Sequence, residues 1–280
     1  MSLQVLDAPG LVTIQDRGRV GLAHLGVPRA GALDLPAASL ANRLVGNSDA
    51  DAVLEVTLSG LRVSSSAGRW VAVTGADCAL AVAGRPAGHG RAEWLPAGAE
   101  LSLGPARAGV RSYLAVAGGI AAEPVLGSRS TDTLAWVGPA RVAAGAELPV
   151  GEPEGRPADH DAPRLPAPGP LRVDPGPRAD WLVPDALHRL CRTAYTVTTE
   201  SNRIGLRLDG PPIAWVRDGE LESEGMVLGA VQVPPDGRPV VFLADHPPTG
   251  GYPVLAVVRA EDLWQCAQLR PGDEMRFVHG

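Results

Sequence analysis

Short apolar segments separated by glycine or proline dominate this sequence and limit what it can fold into. Between residues 52 and 107 they are VLEVTL, RWVAVTG, CALAVAG, AEWLP and ELSLG, and residues 112–117 and 141–150 add similar segments. The chain contains 34 glycines and 27 prolines, residue types that favour turns over the interiors of helices. This spacing predicts a mainly β protein built from small barrels or curled sheets, and not a parallel array of alternating strands and helices.

A polar, proline-rich segment at residues 151–170, GEPEGRPADHDAPRLPAPGP, interrupts the strand pattern. It has no apolar periodicity, and this composition is typical of an extended linker. A chain of 280 residues is also long enough for two domains. We therefore predict an N-terminal β domain at residues 1–150, a linker at 151–170 and a C-terminal β domain at 171–280.

A few short helices are expected between the strands. The segment 35–44, LPAASLANRL, has apolar residues on one face, with Asp34 as N-cap and Pro36 in its first turn. Two further helices are predicted at 184–191 and 260–269.

Composition excludes several classes of function. All 25 basic residues are arginine, so neither a Schiff-base lysine nor a P-loop lysine exists. The net charge is −6 with no basic stripe, which argues against nucleic acid as a partner. No metal site is expected, because the histidines lack ligand spacing. Three isolated cysteines, no signal peptide and no apolar run of about 20 residues predict a cytoplasmic protein without membrane association.

The stretch 201–253 combines strand-like runs with many polar side chains. Residues 231–233 and 240–244 are predicted strands, and Asp236-Gly237 between them is a strong hairpin signal. Polar residues follow directly at the ends of these strands, where a rigid scaffold can present them to a ligand.

Several residues of this stretch suit binding and acid–base chemistry. Asn202, Arg203 and Arg207 could bind an anion, or Asp209 and Glu224 could neutralise the two arginines.

Glu224 could also be a general base in a dry cleft, where burial raises a carboxyl pKa, or it could belong to a surface turn. Asp245 is a candidate base or orienting group. Thr249-Gly250-Gly251 could offer backbone N–H groups to an oxyanion, or it could form a strand corner.

A second candidate site lies near the amino terminus, in Gln15-Asp16-Arg17-Gly18-Arg19. A carboxylate beside two guanidinium groups on a glycine-containing loop could bind a carboxylate or phosphate. An Asp–Arg pair that pins the loop to the sheet is the alternative.

Both stretches resemble signatures of the KipA-like family, also called allophanate hydrolase subunit 2 or biotin-dependent carboxyltransferase, which includes the C subunit of bacterial 5-oxoprolinase. The amino-terminal match runs through residues 15–19, 26–28, Gly31 and Asp34, and the carboxyl-terminal match through SNRIGLRLDG, SEG, QVP and TGGY. The residues singled out for catalysis are Asp16, Glu224 and Asp245. Those singled out for substrate binding are Gln15, Arg19, Asp34, Asn202, Arg203, Arg207, Gln232, Thr249, Gly250, Gly251 and Tyr252.

The resemblance implies two cyclophilin-like β-barrel domains and a hydrolase component that is inactive alone. It implies a complex with a KipI-like protein and a LamB/YcsF-like protein, the B and A components of the enzyme, that opens 5-oxo-L-proline to L-glutamate with ATP and Mg²⁺. One alternative is carboxyl transfer from carboxybiotin to urea or a similar amide, with biotin on another protein because this chain lacks lysine. Another is a non-enzymatic antagonist of a KipI-like kinase inhibitor.

The sequence departs from the family pattern in two places. His246 stands where the family usually has arginine, and Pro247-Pro248 replaces a Gln-Thr-like pair. The glycine-rich loop that usually follows the Ser-Arg-Ser-Thr motif is shortened here to residues 134–139. A ligand that such a loop covers in the family would be covered differently in this protein.

Overall fold

A computed structural model of the protein describes residues 1–162 and 168–280. The predicted linker at 151–170 lies in part outside the described residues. Strands hold 37% of the described residues and helices 11%, which confirms a mainly β fold with few short helices. No helix among the described residues is both long enough and apolar enough to cross a membrane.

Contacts between residues divide the chain into two compact units. The first comprises Met1–Arg19, Ala30–Asp132 and Trp136–Leu165, and the second comprises Val20–Arg29, Thr133–Ala135 and Pro166–Gly280. The second unit therefore includes two short segments from the amino-terminal half. The predicted division into residues 1–150 and 171–280 did not include this exchange.

The first unit contains a branched, curled sheet. Its strands are β1 (Ser2–Asp7), β2 (Leu11–Gln15), β3 (Val53–Thr57), β4 (Leu61–Ser65), β5 (Arg69–Val82), β6 (Arg85–Pro86), β7 (Ala92–Leu95), β8 (Glu100–Val116) and β9 (Glu147–Pro149). The long strand β8 pairs with β5 on one edge and with both β4 and β3 on the other. Aliphatic side chains such as Leu54, Leu101 and Leu114 fill its core.

The helix α1 (Leu35–Leu44) forms where the sequence predicts it. The Asp34 carboxylate accepts a hydrogen bond from the Ala37 backbone N–H at 3.0 Å, which satisfies one of the orphan donors of the first turn. The alanine-rich face of α1 packs on β5 and β8, where Ala72 and Tyr113 are buried. Small side chains on this face let the helix approach the sheet closely.

The second unit contains a closed barrel. Its strands are β10 (Leu171–Pro175), β11 (Ala194–Val197), β12 (Gly205–Asp209), β14 (Ala230–Gln232), β15 (Val240–Phe242), β17 (Val254–Val258) and β18 (Glu274–His279), with β13 (Glu224–Gly225) and β16 (Thr249–Gly250) forming a separate two-stranded sheet. The order around the barrel is β10-β17-β14-β15-β12-β11-β18. Parallel pairing of β10 with β18 closes it, with Leu171 opposite Phe277.

The predicted hairpin is confirmed between β14 and β15, where Val231 lies opposite Val241. Gly237 turns the chain with a φ of 77°, a conformation that favours glycine.

Two further short helices lie in the second unit, α2 (Ala186–Arg192) and α3 (Leu263–Cys266). α2 lies where a helix was predicted at 184–191, and its ends differ from the prediction by two residues and one residue. The helix predicted at 260–269 is shorter, because its first turn, Ala260–Asp262, is a 3₁₀ helix and α3 ends at Cys266.

Candidate functional site

The most deeply buried charges of the second unit are Arg203 and Asp245. Their side chains are 1% and 0% exposed. The guanidinium donates from Nε to Oδ2 at 2.8 Å and from Nη2 to Oδ1 at 2.9 Å, which is the bidentate geometry of a strong ion pair. The Thr133 backbone N–H and hydroxyl add hydrogen bonds to Oδ2 at 2.9 and 2.7 Å.

Neighbouring strands bring this pair together. Arg203 precedes β12 and Asp245 follows β15, and these strands pair antiparallel with Gly205 opposite Phe242. The Asp245 backbone N–H also donates to the Arg203 carbonyl at 3.1 Å. Arg203 and Thr133 together donate four hydrogen bonds to the Asp245 carboxylate, and these engage both of its oxygens. Asp245 is therefore arranged to orient Arg203 and not to act as an available base.

Arg203 is therefore paired with Asp245, and not with Asp209 or Glu224 as the sequence suggested. Asp209 instead forms an ion pair with the exposed Arg238, whose Nε lies 3.3 Å from Oδ1 of Asp209. Glu224 pairs with Arg178, a residue that sequence reasoning missed.

Arg203 and Arg207 lie in different environments. Arg207 is exposed on β12 and, together with Thr198 and Arg238, lines a pocket of about 210 Å³. Asn202 shapes the turn before β12, because its Oδ1 accepts hydrogen bonds from the N–H groups of Ile204 and Gly205 at 2.8 and 3.3 Å.

Strand pairing does bring Glu224 beside the Thr249–Gly250 segment. β13 and β16 pair antiparallel, with Glu224 opposite Gly250 and Gly225 opposite Thr249. The Glu224 carboxylate accepts hydrogen bonds from both Nε and Nη2 of Arg178, at 2.9 Å for Nε. The Glu224 carboxylate therefore already has a cationic partner within the second unit, unlike the isolated carboxylate in a dry cleft that the sequence suggested.

Gln232 fixes the backbone that follows this small sheet. Its Nε2 donates to the Tyr252 carbonyl at 3.1 Å, and the side chain is 4% exposed. A Cβ placed on Gly250 would lie 2.9 Å from that Nε2 and 3.2 Å from Cγ of Met226. Glycine at position 250 therefore permits the close packing of this corner, while a Cβ on Gly251 would meet only the Leu221 carbonyl, at 3.2 Å.

A row of aromatic rings extends from this corner. Tyr252 is 43% exposed, and its ring packs edge-on against Trp215 with 6.3 Å between the ring centroids. Trp215 in turn packs edge-on against Trp181 with 5.8 Å between the ring centroids. Sequence reasoning did not find the two tryptophans, because neither belongs to a recognised motif.

His246 is buried and stacks on Phe242 with a ring separation of 5.9 Å. Its Nδ1 lies 2.8 Å from the Pro247 carbonyl, which can only accept, so Nδ1 carries the proton and Nε2 keeps a lone pair. Burial lowers the pKa of this imidazole, and the hydrogen bond to the Pro247 carbonyl partly offsets that effect. The positive charge of Arg29 lowers the pKa further, and Asp245 opposes it weakly.

In the first unit, Asp16 pins the loop that carries Ser128, Arg129 and Ser130. Its Oδ1 accepts from both serine hydroxyls at 2.6 Å and from the Gly18 N–H at 2.8 Å, and its Oδ2 accepts from the Arg129 N–H at 2.6 Å. Burial raises the pKa of this carboxyl, but the four hydrogen bonds together lower it more, so the pKa lies below its ordinary value.

The other predicted residues of the first unit have similar structural contacts. Arg19 donates to the backbone carbonyls of Val125 and Ser130 at 3.0 and 2.6 Å, and these contacts hold the same segment as Asp16 does. Gln15 is fully buried and donates from Nε2 to the Thr131 carbonyl at 2.8 Å. These contacts favour loop pinning over anion binding, with serine hydroxyls and backbone groups as the partners.

Comparisons with known proteins find relatives over nearly the whole chain. The family described as "Carboxyltransferase domain, subdomain A and B" matches residues 25–279. The C subunit of 5-oxoprolinase from Escherichia coli strain K12 is 36% identical, over 99% of this chain and 90% of that protein. Urea amidolyase of Saccharomyces cerevisiae is 33% identical over 98% of this chain, which spans 16% of the yeast protein.

Solved structures share the fold over nearly the whole chain. The crystal structure of TTHA0988 matches with a TM-score of 0.89 at 37% identity over 99% of this chain, which spans 55% of that protein. Together with the matching family and the E. coli relative, this likeness shows that the chain belongs to the carboxyltransferase-domain family of subdomains A and B.

Proposed function

We propose that this protein is the C-type component of an ATP-dependent 5-oxoprolinase, acting with KipI-like and LamB/YcsF-like proteins in the cytoplasm. The observation that carries the proposal is the 36% identity to the C subunit of E. coli 5-oxoprolinase over 90% of that relative's length. The reaction would open the lactam of 5-oxo-L-proline to give L-glutamate.

The geometry of the second unit supports a binding role within such an assembly. Glu224, Gln232 and the Thr249–Tyr252 segment lie together at one corner, and the buried Arg203–Asp245 pair braces the neighbouring strands β12 and β15. In the proposal this corner contacts the substrate through polar groups that rigid packing holds in place. The partly exposed Tyr252 ring supplies an apolar surface for the flat lactam ring.

The amino terminus of α1 is not available to bind the phosphates of ATP. The amino terminus of α1 would attract an anion, but the Asp34 carboxylate already caps it. We therefore propose that ATP and Mg²⁺ bind elsewhere in the complex than at the start of α1. When bound there, ATP supplies the phosphoryl group that activates a poorly electrophilic lactam carbonyl.

Urea amidolyase relatives favour a second candidate function, carboxyl transfer from carboxybiotin on a separate carrier protein. Both candidates are tested in one set of incubations of this chain with the KipI-like and LamB/YcsF-like proteins. One incubation contains 5-oxo-L-proline and ATP, and another contains urea, bicarbonate and ATP with a biotin carboxylase and a biotinylated carrier. Glutamate from the first alone supports the proposal, whereas carboxylated urea from the second alone supports carboxyl transfer.

A further inference from the structure

The second unit contains an open cavity of about 860 Å³ next to the end of β17. Aliphatic side chains form much of its wall, namely Val227, Leu228, Val257, Val258 and Leu263. Val227 is 53% exposed, so its side chain is open to a ligand in the cavity. The volume lies within the range of about 300–1,000 Å³ that small-molecule sites occupy.

Two of the three arginines that line this cavity are already neutralised. Arg172 forms a bidentate ion pair with Asp262, with both distances 2.8 Å. Arg259 pairs with Asp174 at 2.8 Å.

The third arginine, Arg29, is different. Within the described parts of the chain its guanidinium makes no hydrogen bond or ion pair, although the side chain is half-buried. A partly buried guanidinium gains most from a planar anion that accepts two parallel N–H bonds. The cavity therefore presents the Arg29 guanidinium beside an aliphatic wall, and its lining also includes the exposed carboxylate of Glu261.

We propose that this cavity binds a small organic carboxylic acid with an aliphatic body, with Arg29 as the partner of the carboxylate. The aliphatic wall contributes affinity through burial of the ligand's hydrocarbon, and Arg29 contributes selectivity for a carboxylate over an alcohol or an amine. This site uses none of the residues of the corner formed by Glu224, Gln232 and Thr249–Tyr252. The proposal of this binding site does not depend on the protein being a 5-oxoprolinase component.

The test measures binding of hexanoate to the purified chain by isothermal titration calorimetry. Hexan-1-ol, which lacks the charge, and acetate, which lacks the hydrocarbon, serve as matched probes. Arg29→Gln should weaken hexanoate binding by about tenfold or more, the effect of losing hydrogen bonds to a charged group. Arg192→Gln removes the same charge from an exposed position on α2 and should leave the affinity unchanged.

A second readout follows His246, whose pKa the charge of Arg29 lowers. In an NMR titration, both Arg29→Gln and saturation of the wild type with hexanoate should raise the pKa of His246, because each removes or neutralises that positive charge. Hexanoate should not raise it further in Arg29→Gln. The proposal is overturned if hexanoate shows no saturable binding, if Arg29→Gln binds it as tightly as the wild type, or if hexan-1-ol binds equally well.

Discussion

Replacing Asp245 with asparagine should destabilise the second unit strongly, because it removes the carboxylate that binds the buried Arg203 guanidinium in a bidentate ion pair. Arg203 is 1% exposed, so water cannot replace the lost carboxylate. Breaking a buried ion pair from one side typically costs about 3–5 kcal/mol. The amide would also accept fewer hydrogen bonds from Thr133, which now donates twice to Oδ2. We therefore expect Asp245→Asn to lower the free energy of unfolding by about 3–5 kcal/mol.

Urea denaturation measures the free energy of unfolding. Hydrogen exchange of peptides from β12 and β15, measured separately, reports the stability of the second unit. Asp185→Asn is the control, because it breaks the exposed Arg189–Asp185 pair on α2 and should change little. The double variant Arg203→Met with Asp245→Asn should be less destabilised than the sum of the two single variants, since each single variant already breaks the same ion pair. A loss below about 1 kcal/mol in Asp245→Asn would refute the argument that this pair is essential to the barrel.

Three further perturbations test other parts of the structure. Asp34→Ala removes the cap of α1 and should cost at least about 1 kcal/mol in urea denaturation, while Asp34→Asn should retain most of the stability; equal losses would contradict the capping role. Gly250→Ala places a Cβ against Gln232 and should lower the kcat/KM of the assembled enzyme more than Gly251→Ala does, and the reverse order would argue against the packing described. The pKa of Asp16 is lowered on folding, so its ionised form contributes stability above the ordinary value of 3.8 and loses that contribution as the pH falls through the lower folded value. Asp16→Asn should therefore flatten the acid side of the stability profile, and an unchanged profile would show that the carboxylate does not pin the loop.

Local patterns in the sequence were sufficient for the fold class and for some individual elements. Apolar runs ending at glycine or proline predicted a mainly β protein. Asp34 and Pro36 located the start of α1, and Asp236-Gly237 located the β14–β15 hairpin. Each of these features depends on residues close together in the chain, so propensity and turn chemistry are enough to identify it.

The contacts of the candidate site depend on residues far apart in the chain. Thr133 and Asp245 are separated by 112 positions and Arg203 and Asp245 by 42, so no local pattern pairs them. Arg178 was missed as the partner of Glu224 for the same reason, at a separation of 46 positions. Motif residues such as Asp16 were found, but the resemblance could not distinguish a carboxylate that pins a loop from one that performs chemistry.

The proposed function depends on this chain being required for opening the lactam. The most direct measurement is L-glutamate and ADP released from 5-oxo-L-proline and ATP by the three purified proteins, with each protein omitted in turn. We predict equimolar glutamate and ADP from the complete mixture and no glutamate when this chain is left out. Full glutamate release by the two other proteins alone, or none from the complete mixture, would contradict the proposal.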